Sequence, residues 1–160
     1  MCYEPFLLAF LLGQLPVTGP QSASASLSVS VGSQARITFS STTLVFPDAD
    51  PDSVPLVPGS PGVDVTAKAR ASRNAQVVLT VQASDDLRSG MSTLPASLIT
   101  WSGDGNGFLS GVLSRASPQL VAAWTGSGVR TGAQSFAFQN SWTHPPGTYS
   151  VTLVYTVSMP

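Results

Sequence analysis

One histidine, one cysteine, eight acidic and seven basic residues carry most of the acid–base chemistry open to this 160-residue chain. The histidine, His144, lies in Trp142-Thr143-His144-Pro145-Pro146-Gly147, a proline-rich turn ahead of the last apolar stretch. A general base needs a partner within reach and a third group to orient it. A turn of this composition presents the imidazole to solvent instead. No Gly-x-Ser-x-Gly elbow or other nucleophile signature is present. Glycoside hydrolysis needs carboxyl groups on facing walls of a cleft, yet three aspartates crowd one loop and Asp85-Asp86 adjoin in a turn. The chain therefore reads as non-enzymatic, and its motifs imply no cofactor.

Two constellations suit binding better than catalysis. Asp48, Asp50 and Asp52 stand at every second position of Pro47-Asp48-Ala49-Asp50-Pro51-Asp52, an arrangement like the opening of a calcium loop. Ca²⁺ takes about six to eight oxygens, and closely spaced carboxylates supply several. The stretch lacks the glycine and bidentate glutamate of an EF-hand, and a solvated Asp/Pro turn is the simpler expectation. Ser102-Gly103-Asp104-Gly105-Asn106-Gly107 is a second turn, its glycines suited to positive φ. A zinc shell is excluded by one histidine and one cysteine. Trp101, Trp124 and Trp142 each fall at or near a strand end, where indoles either rim a core or stack on sugars. Together they form the candidate carbohydrate platform.

Composition narrows the class further. Charged residues make up 9% of the chain, against about 25% in ordinary soluble domains. Seven basic residues against eight acidic ones leave no excess to neutralise a phosphate backbone, which argues against nucleic acid. The 42% hydrophobic content and near-zero net charge are not those of a disordered chain.

The elements begin with a leader. Phe6–Leu12 is an apolar run too short for a bilayer, which needs roughly 20 residues. Gly13, Pro16 and Pro20 follow, then Ala23-Ser24-Ala25, a small-x-small cleavage site. This is the layout of a signal peptide over residues 1–25, although Met1–Pro5 lacks the usual basic residue. Cleavage after Ala25 leaves residues 26–160 as one domain and removes Cys2 and Glu4. Seven aspartates then face seven basic residues. No later stretch is long and apolar enough to span a membrane, so the expected product is secreted or held at a cell surface.

Period-2 alternation dominates the remainder and predicts half-buried strands. Val63, Val65, Ala67, Ala69 and Ala71 alternate with Asp64, Thr66, Lys68 and Arg70. Gln76–Gln82 repeats the pattern through Val77, Leu79 and Val81, and the Arg73-Asn74 turn between them predicts a hairpin. Leu27, Val29 and Val31 alternate with serines in an N-terminal strand. Further strands are expected at Ile37–Phe39, Leu44–Phe46, Ser97–Trp101, Gln119–Thr125, Ala133–Gln139 and Thr148–Ser158, with Pro47–Pro61 as a long loop. Tyr149, Val151, Leu153, Tyr155 and Val157 share one face of the last. No window has helical spacing. The expected fold is all-β, an antiparallel two-sheet sandwich with immunoglobulin-like Greek-key order, a jelly roll being the alternative.

The closing stretch Pro146–Pro160 resembles the last strand of secreted bacterial β-sandwich surface proteins, where Gly-Thr-Tyr leads into alternating Thr and apolar residues. It is similar to the distal motif of WxL-domain proteins: Tyr149, Leu153 and Val157 fit. Val154 stands where that motif has threonine, and Tyr155 where it has tryptophan. Ile99-Thr100-Trp101 echoes the proximal motif, and fimbrial subunits end in a similar way. The resemblance implies a non-enzymatic exported domain that associates with wall polymer or other surface proteins.

Structural or adhesive work at a bacterial surface is thus the expected function, with a cell-surface protein or polysaccharide as partner. A carbohydrate-binding module using Trp101, Trp124 or Trp142 is one alternative. A fimbria-like subunit that self-associates by strand addition is the other, with Leu27, Val29 and Val31 completing a neighbour's sheet. The first strand of the chain's own sandwich is the simpler expectation for that segment.

Overall fold

The computed structural model describes residues 26–105 and 107–159. The chain divides into two units, Met1–Ser30 and Val31–Pro160. Of the first, residues 26–30 are described; they are exposed and carry no regular secondary structure. The expected signal peptide, residues 1–25, lies outside the described residues.

The second unit is an all-β, antiparallel two-sheet sandwich. Among the described residues its strands are β1 (Gln34–Phe39), β2 (Leu56–Pro58), β3 (Val63–Arg70), β4 (Gln76–Ala83), β5 (Leu87–Ser89), β6 (Ser92–Leu94), β7 (Ile99–Asp104), β8 (Gly111–Val112), β9 (Gln119–Thr125), β10 (Gly128–Gln139) and β11 (Leu153–Ser158). The larger sheet runs β1-β3-β10-β7-β8, with β2 also paired to β10. The smaller runs β11-β4-β9, and β5-β6 form a separate short hairpin. Apart from β5-β6 and β7-β8, hydrogen-bonded neighbours are never consecutive, which is the crossover pattern of a Greek-key sandwich and not of a meander. No helix among the described residues is long and apolar enough to cross a membrane.

Alternation decides which faces meet. In β3, Val63, Val65, Ala67 and Ala69 are buried while Asp64, Lys68 and Arg70 are exposed. In β4, Val77, Leu79, Val81 and Ala83 are buried. Val121 and Trp124 of β9, Trp101 of β7 and Phe136 of β10 complete the interior. At roughly 1.5–3 kcal/mol for each fully buried large aliphatic side chain, Val65, Val77, Leu79, Val81 and Val121 dominate the packing.

Several expectations need correction. β3 and β4 are not a hairpin: β3 pairs with β1 and β10, and β4 pairs with β11 and β9. Both strands bury their apolar rows in one core, so the turn at Ser72–Ala75 carries the chain across to the opposite sheet. Residues 26–33 form no strand, and Leu27, Val29 and Val31 are 92%, 77% and 65% exposed. Alternation specifies which side chains share a face but supplies no partner to pair with. The Pro47–Pro61 loop contains β2, whose Val57 is buried; Pro58 is tolerated because β2 is a short edge strand. Finally, Ala96–Leu98 is a 3-10 turn, and β11 starts at Leu153, later than the alternation from Thr148 suggests.

Candidate functional site

The sandwich has an open seam. β1 and β11 are the terminal strands of their respective sheets, so each presents an edge of unpaired backbone N–H and C=O groups. They meet where the Phe39 and Tyr155 rings pack edge to face, centroids 5.0 Å apart. Beside that contact lies a groove of about 500 Å³ between residues 41–46 and 149–155. Its walls include Leu44, Phe46, Val151 and Leu153, and Val63, Ile99 and Phe136 line it from the core.

Local structure holds the groove open. Residues Ser40–Phe46 follow β1 without joining a strand, tied through a lone bridge between Val45 and Ser60. Opposite them, Ser150 makes a single bridge to Arg88, and the Tyr149 hydroxyl donates to the Pro145 carbonyl at 2.9 Å. Val151 and Leu153 thereby face the groove and remain half-buried. Between the sheets, the Tyr155 hydroxyl donates to Gln134 Oε1 at 2.6 Å. Gln134 is fully buried and its Nε2 has no partner. Burial pushes the Tyr155 phenol above its ordinary range. The groove contains no charged side chain: it offers apolar surface and backbone edges, not acid–base groups.

The three tryptophans are not brought together. Trp101 and Trp124 are 3% and 7% exposed. Trp101 donates its indole N–H to the Leu109 carbonyl at 2.9 Å, and Arg130 lies 5.8 Å over the Trp124 ring. Both are core residues closed to a ligand. Trp142 alone is open, 70% exposed, with its N–H donated to Asp52 Oδ1 at 3.1 Å.

The Asp48–Asp52 carboxylates do not form a calcium shell. Asp50 Oδ1 accepts the Asp52 backbone N–H at 3.0 Å, an Asx-turn, while Asp52 turns to Trp142. Among the described residues no three His, Cys, Asp or Glu side chains are placed to hold a metal ion. His144 is half-buried beside Phe138, with Nε2 3.1 Å from the Gln139 carbonyl oxygen; it belongs to a turn. Asp85 and Asp86 form a surface cluster with Arg88 and Arg115. The Arg88 guanidinium, with the Asp86 N–H, pulls the Asp85 carboxyl down to about 2.

No local sequence pattern specifies the groove. Its one signal is the polar run Ser40–Thr43, which interrupts the alternation after Phe39 and ends β1 early. No protein-family model matches the chain, and no curated protein matches it.

Proposed function

We propose that this chain is a non-enzymatic structural subunit, exported to a bacterial surface, that joins its neighbours by strand addition. The observation that carries this reading is the largely apolar groove beside the unpaired edges of β1 and β11, in a chain whose residues 26–33 alternate exposed Leu27, Val29 and Val31 with small polar residues. An added strand satisfies the backbone of an edge and seats alternate side chains in its pockets. Residues 26–33, in Ser-Leu-Ser-Val-Ser-Val-Gly-Ser, have the period and composition of such a strand. Export is supported by the leader layout of residues 1–25, and the surface by the resemblance of the closing strand.

Sedimentation of the purified chain, with and without residues 26–33, tests this. The intact chain is expected to form oligomers that grow with concentration, and the deletion is expected to be monomeric and to bind a peptide of that sequence. A deletion that associates like the intact chain refutes the reading. A sugar-binding reading has one favouring observation, the exposed Trp142 beside Asp52. It requires a monomer whose tryptophan fluorescence is quenched by polysaccharide.

A further inference from the structure

We infer that successive copies dock head to tail, the basic end of one sandwich against the acidic end of the next. This rests on the strand-addition reading for the link between copies and adds what orients them. The charges sort along β10, which spans about 40 Å at roughly 3.3 Å per residue. Near its start, Lys68 stands opposite Val129, and Arg36 stands opposite Lys68. Arg70 follows beside Gln34, Arg73 packs its carbonyl against Gly126, and Arg130 covers Trp124. Further along, Asp64 and Asp104 flank Ala133. Past Gln139 comes the loop of Asp48, Asp50 and Asp52, bound through Asn140 to the Ala49 and Pro55 carbonyls.

Every ion pair among the described residues lies elsewhere, within the cluster of Asp85, Asp86, Arg88 and Arg115. The other five basic residues gather at one end, and the other five aspartates spread from mid-sheet to the opposite end. Neither group has an ion-pair partner. Arg36 and Lys68, like charges directly opposed across strands, are mutually destabilising. A sequence with seven aspartates available has left that repulsion unrelieved, and a second copy supplies the missing counter-charges.

The links run the same way. The chain enters β1 at Gln34, at the basic end, whereas the groove opens beyond Phe39, toward the aspartates. A segment leaving one copy at its basic end and entering the acidic half of another brings unlike charges together. Such a contact is heterologous and does not close on itself unless a ring forms, so it builds a fibre.

The test is sedimentation of the full chain at 20 and 500 mM NaCl, with two charge-reversed variants. Association is expected to weaken at least about tenfold at high salt, as screening shortens from tens of ångströms to a few. R36E/K68E/R70E and D48K/D64K/D104K alter exposed side chains that make no hydrogen bond. Each alone is expected to lose association at least about tenfold at low salt, and an equimolar mixture to regain it, which also shows that both fold. Variants that associate like the parent, a mixture that stays dissociated, or a parent that is monomeric at 20 mM NaCl overturn the inference. So does loss of heparin binding in R36E/K68E/R70E without loss of self-association, which would make the basic end a site for anionic polysaccharide. If deleting residues 26–33 abolishes association while the charge variants leave it intact, strand addition stands and the charge orientation falls. If the deletion is silent and the mixture is rescued, the reverse holds.

Discussion

Replacing Tyr155 by phenylalanine probes the polar contact that ties β11 to β10 behind the groove. The substitution keeps the ring against Phe39 and removes a hydroxyl that donates to Gln134 Oε1 at 2.6 Å. Gln134 is fully buried and its Nε2 already lacks a partner. Tyr155→Phe therefore leaves both ends of a buried amide unsatisfied. A buried acceptor stripped of its donor costs about 1–3 kcal/mol. In a domain of this size that corresponds to a fall of roughly 3–12 °C in Tm. Gln134→Met in the Tyr155→Phe background removes both orphaned groups at similar volume and should return stability to within about 1 kcal/mol of the parent. The two substitutions should couple by about 1 kcal/mol or more in a double-mutant cycle, read from denaturant melts.

The same hydroxyl makes a pH prediction. Burial raises the Tyr155 pKa above its ordinary value of 10.0, so the folded state binds that proton more tightly than the unfolded chain does. Its contribution is intact below about pH 10 and is lost as pH rises further. Tyr155→Phe should flatten this alkaline limb. A variant within about 0.3 kcal/mol of the parent, with an unchanged alkaline limb, would refute the account of the contact.

Two further predictions concern close approaches and acid. A methyl group on Gly132 would sit 2.3 Å from the Phe108 ring and 2.8 Å from the Asp104 carbonyl oxygen, and one on Gly111 would sit 2.4 Å from the Trp101 ring. Each alanine variant should lose about 1–3 kcal/mol through overpacking, seen as a lower denaturant midpoint. Gly32→Ala, with open space around it, should be close to silent. Because the Asp85 carboxyl falls from 3.8 to about 2 in the fold, its stabilising contribution is present above pH 4 and lost between about pH 4 and 2. Melting temperatures across that range should show a smaller acid decline for Asp85→Asn than for the parent.

The strands with strict alternation were legible residue by residue. Val63–Ala69 and Val77–Val81 bury the side chains that a period of two selects. Their pairing was not, because two strands joined by a short turn have the same pattern whether they pair side by side or face each other across the core. Trp101 and Trp124 show a related ambiguity. A strand-end indole is equally consistent with rim and platform until the neighbours are known, and here Gly111 makes room for one ring while Arg130 covers the other. The groove was still less legible: it depends on β1 and β11 both ending their sheets, a property of topology that no local window contains.

Charge balance carries the same lesson one level higher. Equal numbers of aspartates and basic residues after Ala25 describe a neutral surface only if the two signs are interspersed. Here the pairing is confined to Asp85, Asp86, Arg88 and Arg115, and the remainder divides along the sheet. Interaction between exposed charges more than a Debye length apart, about 10 Å at 0.1 M salt, is largely screened. The separated ends therefore gain little from each other within one molecule and much more across an intermolecular contact. The N-terminal segment follows the same logic in apolar form. Leu27, Val29 and Val31 are exposed on residues 26–33, whose alternation suits a strand with one dry face. Both features are costly to leave uncovered, one as like-charge repulsion and the other as exposed hydrocarbon. In the proposed head-to-tail assembly a second copy of the chain would relieve both at once.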